Sequence, residues 1–156
     1  MPTNAELATR GVQPATAERN DTPIAVDTSV AVAFLDASHT AHRACVEALA
    51  GRTRALAGHA AFETLSVLTR LPGPTAVAPA DALIALRAAF PDPCWLSPDQ
   101  HEALLATVGN TGISGGSVYD ALVAEAARVN ERMLLTRDRR AVSTYEFLGV
   151  SYELIG

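Results

Sequence analysis

From residue 24 onward the chain alternates short apolar runs with longer stretches in which apolar side chains recur every three or four positions. The short runs predict strands at Ile24–Asp27, Arg54–Ala57, Cys94–Leu96, Met133–Thr136 and Ser151–Leu154. The longer stretches predict helices at Val30–Leu35, His39–Leu49, Ala60–Leu71, Pro79–Phe90, Pro98–Val108 and Ser117–Asn130. The punctuation agrees with these bounds. Thr28 or Ser29 can cap the first helix, Pro72-Gly73-Pro74 stops the third, and Ser97 stands as an N-cap before Pro98. Gly112 to Gly116 reads as a loop leading into the last helix. Strands alternating with helices imply βαβ units and a parallel sheet, hence an α/β domain. Residues 1–22 are polar, contain Pro2 and Pro14 and show no sustained period, so they are expected to form a disordered or flexible arm ahead of a domain at 23–156.

Composition narrows the function classes. A chain of 156 residues suits one domain. Its longest apolar stretches, such as Val30–Leu35, fall far short of the roughly 18 residues that a membrane span needs. Residues 1–22 also lack the apolar core of a secretory signal, so a cytoplasmic protein is expected. Two cysteines suggest no disulfide framework. All twelve basic residues are arginine, which removes the P-loop and any lysine-dependent phosphoswitch. No Gly-x-Ser-x-Gly elbow is present. His39, His42 and Cys45 share a helical face but have no matched fourth ligand for zinc.

Four acids remain. Asp27 ends the apolar run Ile24-Ala25-Val26, and Asp138 follows Met133-Leu134-Leu135 by two residues after Thr136, so both sit at carboxyl ends of strands, where open α/β sheets carry their sites. Glu63 and Asp120 lie near the starts of helices with apolar neighbours, Phe62 and Leu65 for the first, Leu122 and Val123 for the second. A carboxylate on such a face needs a cation, an arginine or water as partner. Carboxylates without His or Cys suit hard cations, Mg²⁺ or Mn²⁺, which accept phosphate oxygens as further ligands and support phosphodiester hydrolysis. Any one of these acids could equally be a helix cap, as Asp27 before Thr28-Ser29 illustrates.

The segments VDTSVAVAFLD (26–36), AAFETLSVLTRL (60–71), SVYDALVAEAARVN (117–130), LLTRDRRA (134–141) and YEFLGVSYELI (145–155) together resemble, in order and spacing, a PIN domain of the kind found in bacterial VapBC toxin–antitoxin pairs. That resemblance implies a three-layer α/β/α sandwich with a mainly parallel sheet of four or five strands. It implies a Mg²⁺- or Mn²⁺-dependent endoribonuclease that uses a metal-activated water, forms a homodimer and is inhibited by a cognate antitoxin. Carried over by position, the acidic site falls on Asp27, Glu63, Asp120 and Asp138, with Ser29 and Thr136 in supporting positions. Arg137, Arg139 and Arg140 are candidates for RNA-phosphate contacts.

The charge bears on the substrate. Residues 23–156 hold ten arginines and fourteen acids, a balance of −4 that the four acids alone account for. Two divalent cations would neutralise it. Asp138 is followed by Arg139-Arg140, where some family members carry a fifth acid, so the second metal is expected to be weakly held. An acidic surface limits nonspecific RNA binding and favours recognition of RNA shape or of a loop. Two alternatives stay open: a PIN-like module that binds RNA or protein without turnover, and a DNA structure-specific nuclease.

Overall fold

The structure, a computed structural model, describes residues 22–156. The arm expected over 1–22 therefore lies outside the described residues, apart from Thr22. Four strands, β1 (Ile24–Val26), β2 (Arg54–Leu56), β3 (Met133–Thr136) and β4 (Tyr152–Leu154), form one sheet in the order β2-β1-β3-β4, all parallel. Among the described residues seven α-helices connect and cover them: α1 (Thr28–Leu35), α2 (His42–Leu49), α3 (Ala60–Thr69), α4 (Pro79–Ala89), α5 (Pro98–Thr111), α6 (Ser117–Val129) and α7 (Val142–Leu148). The helices pack in two groups, with α1 against α2, α3 and α4, and α6 against α5, α7 and β3. Among the described residues no helix is long and apolar enough to cross a membrane.

The central strands are short because each needs only enough residues to cross a narrow core. β1 is buried at all three positions, as an internal parallel strand with helices on both faces requires. Its register places Val26 beside Leu56 on one side and Leu135 on the other. Large side chains fill the space around it, with Ile24, Leu134, Leu135 and Tyr145 all inaccessible to solvent. From β1 the chain runs to β2 on one side, and the later strand β3 docks on the other. The gap between the ends of β1 and β3 is therefore the switch point of the topology, where loops diverge and leave a crevice.

Several expectations about the elements change. Cys94–Leu96 forms no strand: among the described residues this stretch of chain pairs only through an isolated bridge between Ala55 and Asp92. Pro91 and Pro93 flank that bridge and have no N–H to extend a ladder. The carbonyl of Cys94 instead accepts a 2.8 Å bond from Gly58 N. The second helix starts at His42 rather than His39, because Asp36 accepts bonds from the Ser38 amide (2.9 Å) and hydroxyl (2.6 Å), which holds a turn. Ser97 caps α5 as expected, in a reciprocal box with Gln100, and the helix runs on to Thr111 before Gly112 ends it at φ 75°. Val142–Leu148, left without an element by its pattern, is helix α7.

One backbone approach is tight. At Gly58, between β2 and α3, φ is +48° and an added Cβ would lie 3.1 Å from the Cβ of Ala126 in α6. Gly73 has a similar positive φ of +59° with nothing within 4 Å. Gly58→Ala is expected to cost about 1–3 kcal/mol through the left-handed backbone, with the Ala126 contact added to it. Gly73→Ala should cost less. Urea unfolding midpoints at unchanged slope measure both, and equal losses would show that the approach of α6 to this turn constrains nothing.

Candidate active site

The crevice at the switch point is a cavity of about 270 Å³ whose lining includes Asp27, Glu63, Asp120 and Asp138. The four expected acids thus come from four separate segments to one place. Asp27 sits between β1 and α1, Glu63 is in the first turn of α3, Asp120 in the first turn of α6, and Asp138 lies two residues beyond β3. The chain folds this way locally because each carboxylate is set by a short-range device that the cavity then shares.

Asp27 is the most constrained. It is only 5% exposed, and its carboxylate receives four hydrogen bonds. Oδ1 accepts from Ser29 Oγ (2.6 Å) and from Val30 N (3.1 Å), the latter making Asp27 the N-cap of α1. Oδ2 accepts from the hydroxyls of Thr136 and of Tyr145, the second at 3.2 Å. Asp27 is therefore both the N-cap of α1 and a lining residue of the cavity. Burial pushes its pKa up, and the bonds from Ser29, Thr136, Val30 and Tyr145 pull the other way without cancelling the shift. Ser29 also ties α1 to the end of β3, because its oxygen accepts from Arg137 N at 2.8 Å. Both supporting residues expected here, Ser29 and Thr136, thus hold Asp27.

The remaining acids differ in what holds them. Glu63 Oε2 accepts from Thr28 Oγ1 at 2.8 Å, and Oε1 lies 3.9 Å from His59 Nε2. Asp138 is paired with Arg140, whose amide (2.9 Å), Nε (3.2 Å) and terminal nitrogen (3.3 Å) all reach its carboxylate. Partial burial would raise the pKa of Asp138, but the Arg140 side chain and amide outweigh it and hold the carboxyl below its usual range. Asp120 has no such partner: among the described residues no protein donor bonds to its carboxylate. Its pKa is pushed up to about 6, first by burial and then by the charges of Asp138, Glu63 and Asp27. One acid is therefore left facing three others with its oxygens free.

The arginines expected to contact phosphate separate in space. Arg139 and Arg140 are exposed, with Arg140 engaged by Asp138. Arg137 is partly buried, its Nε is enclosed without a hydrogen bond, and its charge acts on the Cys45 thiol in α2. The zinc candidates fall away: His39 Nδ1 accepts from Ala41 N, His42 Nδ1 lies 3.0 Å from the Ala33 carbonyl oxygen, and Cys45 is buried. Three contributors escaped the sequence pattern. Tyr145 lines the cavity from α7, a helix that was not expected, and His59 and Arg70 line an adjoining cleft of about 400 Å³ that shares Thr28 and Glu63 with the acid cavity. The spacing of α3 could have signalled the last two, since His59 and Arg70 bracket the helix that carries Glu63.

The donor set fits a hard divalent cation. The polar groups lining the cavity are carboxylates and hydroxyls, with no thiol or imidazole among them. The upward shift of Asp120 comes first from burial and then from neighbouring like charges, and a cation would oppose both. Among the described residues no three His, Cys, Asp or Glu side chains lie close enough together to hold a metal ion as they stand.

Residues 24–147 match the family described as PIN domain. The chain is 51% identical over 128 residues to the protein named Ribonuclease VapC27 of Mycobacterium tuberculosis, covering 82% of this chain and 93% of that one. It is 45% identical over 134 residues to Ribonuclease VapC40 of the same organism, covering 85% and 98%.

The unpartnered acid has a measurable consequence for stability. The Asp120 carboxyl has a pKa of about 6 in the folded protein against 3.8 as a free side chain, so between those values the folded state binds more protons than the unfolded one. Stability from this group is accordingly lost as pH rises through that window. Without divalent cations, Asp120→Asn should be more stable than the wild type at pH 7.5, and the difference should shrink by pH 4.5. Thermal unfolding of both proteins at the two pH values checks it; a difference that does not change with pH would contradict the raised pKa that burial and the neighbouring charges give Asp120.

Proposed function

We propose, for a chain that belongs to the PIN domain family and to its VapC branch, that it is a Mg²⁺- or Mn²⁺-dependent endoribonuclease, the toxin of a toxin–antitoxin pair. One observation carries this reading: four carboxylates from four segments line one cavity at the switch point of the sheet, and one of them has no protein donor. The ribonuclease names of the relatives support the same substrate class.

Asp27, Glu63, Asp120 and Asp138 would hold the cation. When bound, it supplies Lewis-acid activation of water and stabilisation of the oxygen that leaves the phosphodiester. The chain's own contribution is to place and charge those ligands. Asp120 offers free oxygens. Glu63 is aimed by Thr28, Asp138 is turned by Arg140, and Asp27 closes the floor of the cavity. Because all four hydrogen bonds to Asp27 come from the protein, a cation that reaches it must share an oxygen with, or displace, the Thr136 or Tyr145 hydroxyl.

The same cavity suits an inhibitor that brings a positive charge. An arginine from an antitoxin's tail would find up to four carboxylates and could bond one of them in bidentate fashion. Exposed Arg139 and Arg140, which follow Asp138 in the chain, would be available to RNA phosphate, and a homodimer would repeat the site. The full engagement of Asp27 favours one competing reading, a PIN module that binds RNA without cleaving it.

Purified wild-type protein should cleave RNA with Mg²⁺ or Mn²⁺ and stop on chelation with EDTA. Asp27→Asn and Asp120→Asn should abolish cleavage, and calorimetry should show loss of Mn²⁺ binding. Thr136→Val and Tyr145→Phe remove hydroxyls that position Asp27, and the Thr136 oxygen also accepts from Asp138 N at 3.0 Å, so both should slow cleavage by about 10- to 100-fold. Metal-dependent cleavage at the wild-type rate by Asp120→Asn would overturn the site assignment. A wild-type protein that binds RNA but shows neither Mn²⁺ binding nor turnover would establish the binding module instead.

A further inference from the structure

Besides Phe147 at 57%, three of the chain's eight Phe, Tyr and Trp side chains are about half exposed or more: Phe62 at 65%, Trp95 at 51% and Tyr119 at 49%. They stand together beside the acid cavity. His59 stacks on Tyr119 with ring centroids 4.7 Å apart and an interplanar angle of 17°, and Phe62 meets Trp95 edge-on at 6.1 Å. Gly58, His59, Phe62, Trp95 and His101 line a pocket of about 150 Å³ between α3, α5 and the segment before it. A space of that size accepts a single aromatic ring.

The pocket is continuous with the chemistry. His59 and Phe62 also line the adjoining cleft, which reaches Thr28 and Glu63 of the acid cavity and carries Arg70 on its wall. The order along this surface is thus carboxylates, then a cleft with one cation, then an aromatic pocket. That order matches a nucleotide: a phosphate at the acids, a neighbouring phosphate within reach of a guanidinium, and a base against aromatic faces. Exposed aromatic clusters beside a cleft are interaction surfaces rather than ordinary surface. A chain with net charge −5 and no lysine gains little from long-range phosphate attraction, whereas stacking costs nothing in charge.

We infer that the Phe62–Trp95 pocket holds a base of single-stranded RNA near the scissile phosphate. The inference rests on the nuclease reading and adds a base pocket to that site; an unpaired base enters it directly, whereas one inside a duplex must first be unpaired and unstacked at an energetic cost. Phe62 and Trp95 are binding residues, and Arg70 holds a flanking phosphate.

Trp95 is the only tryptophan, so its fluorescence reports on the pocket directly. The full-length chain carrying Asp120→Asn, with Mn²⁺ omitted, is titrated with a single-stranded oligoribonucleotide and with an abasic ribose-phosphate oligomer of equal length. Saturable quenching by the first and none by the second is expected, with Phe62→Ala weakening binding by about 5- to 150-fold. Sedimentation should give the same mass for Phe62→Ala and its parent. Equal quenching by the abasic oligomer, or unchanged affinity in Phe62→Ala, would overturn the pocket. So would a mass change with Trp95 shielded from acrylamide in the free protein, which would make the pocket a contact between two copies. Quenching by an antitoxin peptide but not by RNA would equally overturn it in favour of a protein ligand. Wild-type cleavage with Mn²⁺ is measured in parallel. Cleavage without base-dependent quenching defeats this inference alone, and base-dependent quenching without cleavage defeats the nuclease reading alone.

Discussion

A carboxylate almost wholly removed from solvent must be satisfied from within the protein, and Asp27 meets that demand by gathering four donors from three places. Val30 N and Ser29 belong to α1, Thr136 ends β3, and Tyr145 comes from α7. Removing any one donor leaves a buried charge short of a partner, which costs more than an ordinary hydrogen bond contributes. The bond network therefore fixes where α1 leaves the sheet, how far β3 extends beside β1, and how α7 lies across the end of both. Ser29 extends it by accepting from Arg137 N, so the loop carrying Asp138 is set by the same network.

The other acids inherit their positions from this frame and are left progressively less satisfied. Glu63 has one hydroxyl donor, Asp138 has an exposed arginine, and Asp120 has none. Such a gradient is hard to explain as a device for stability, since the repulsion on Asp120 works against folding. It is intelligible if the last member is reserved for a ligand. A structural cap and a ligand-ready carboxylate need opposite environments; Asp27 meets the first demand as the N-cap of α1, and in the proposed reading Asp120 meets the second.

What was legible in the sequence followed from local signals. Apolar runs marked β1 and β3, because parallel internal strands have no polar face to confuse the pattern, while the edge strands β2 and β4 were read from shorter and more polar runs. Asp27, Glu63, Asp120 and Asp138 were identifiable because each abuts an element whose end was itself readable. The failures share a cause. Cys94-Trp95-Leu96 has the composition of a strand, but the flanking prolines deny it a ladder and Trp95 turns out to solvent. Val142-Ser143-Thr144-Tyr145 is rich in β-branched and aromatic side chains, yet tertiary packing makes it helical: Tyr145 is fully buried, where its hydroxyl reaches an aspartate 118 positions earlier. No local pattern encodes a partner at that separation. Nor does any announce that His59, Phe62 and Trp95, 36 positions apart at most, line one pocket.

The acidity of the chain then takes a different meaning. Read as a total, −5 argues against a nucleic-acid partner. Read in space, the negative charge is concentrated in a crevice where a cation reverses its effect, while Arg70, Arg139 and Arg140 lie around it. In the proposed reading, a surface that repels RNA at long range and holds it at short range through metal, a few guanidinium groups and aromatic faces would bind duplex RNA poorly. Discrimination would then come from the weakness of the electrostatic term. A basic surface would hold any phosphate backbone, whereas this one must wait for a strand that can present an unpaired base next to a reachable phosphate.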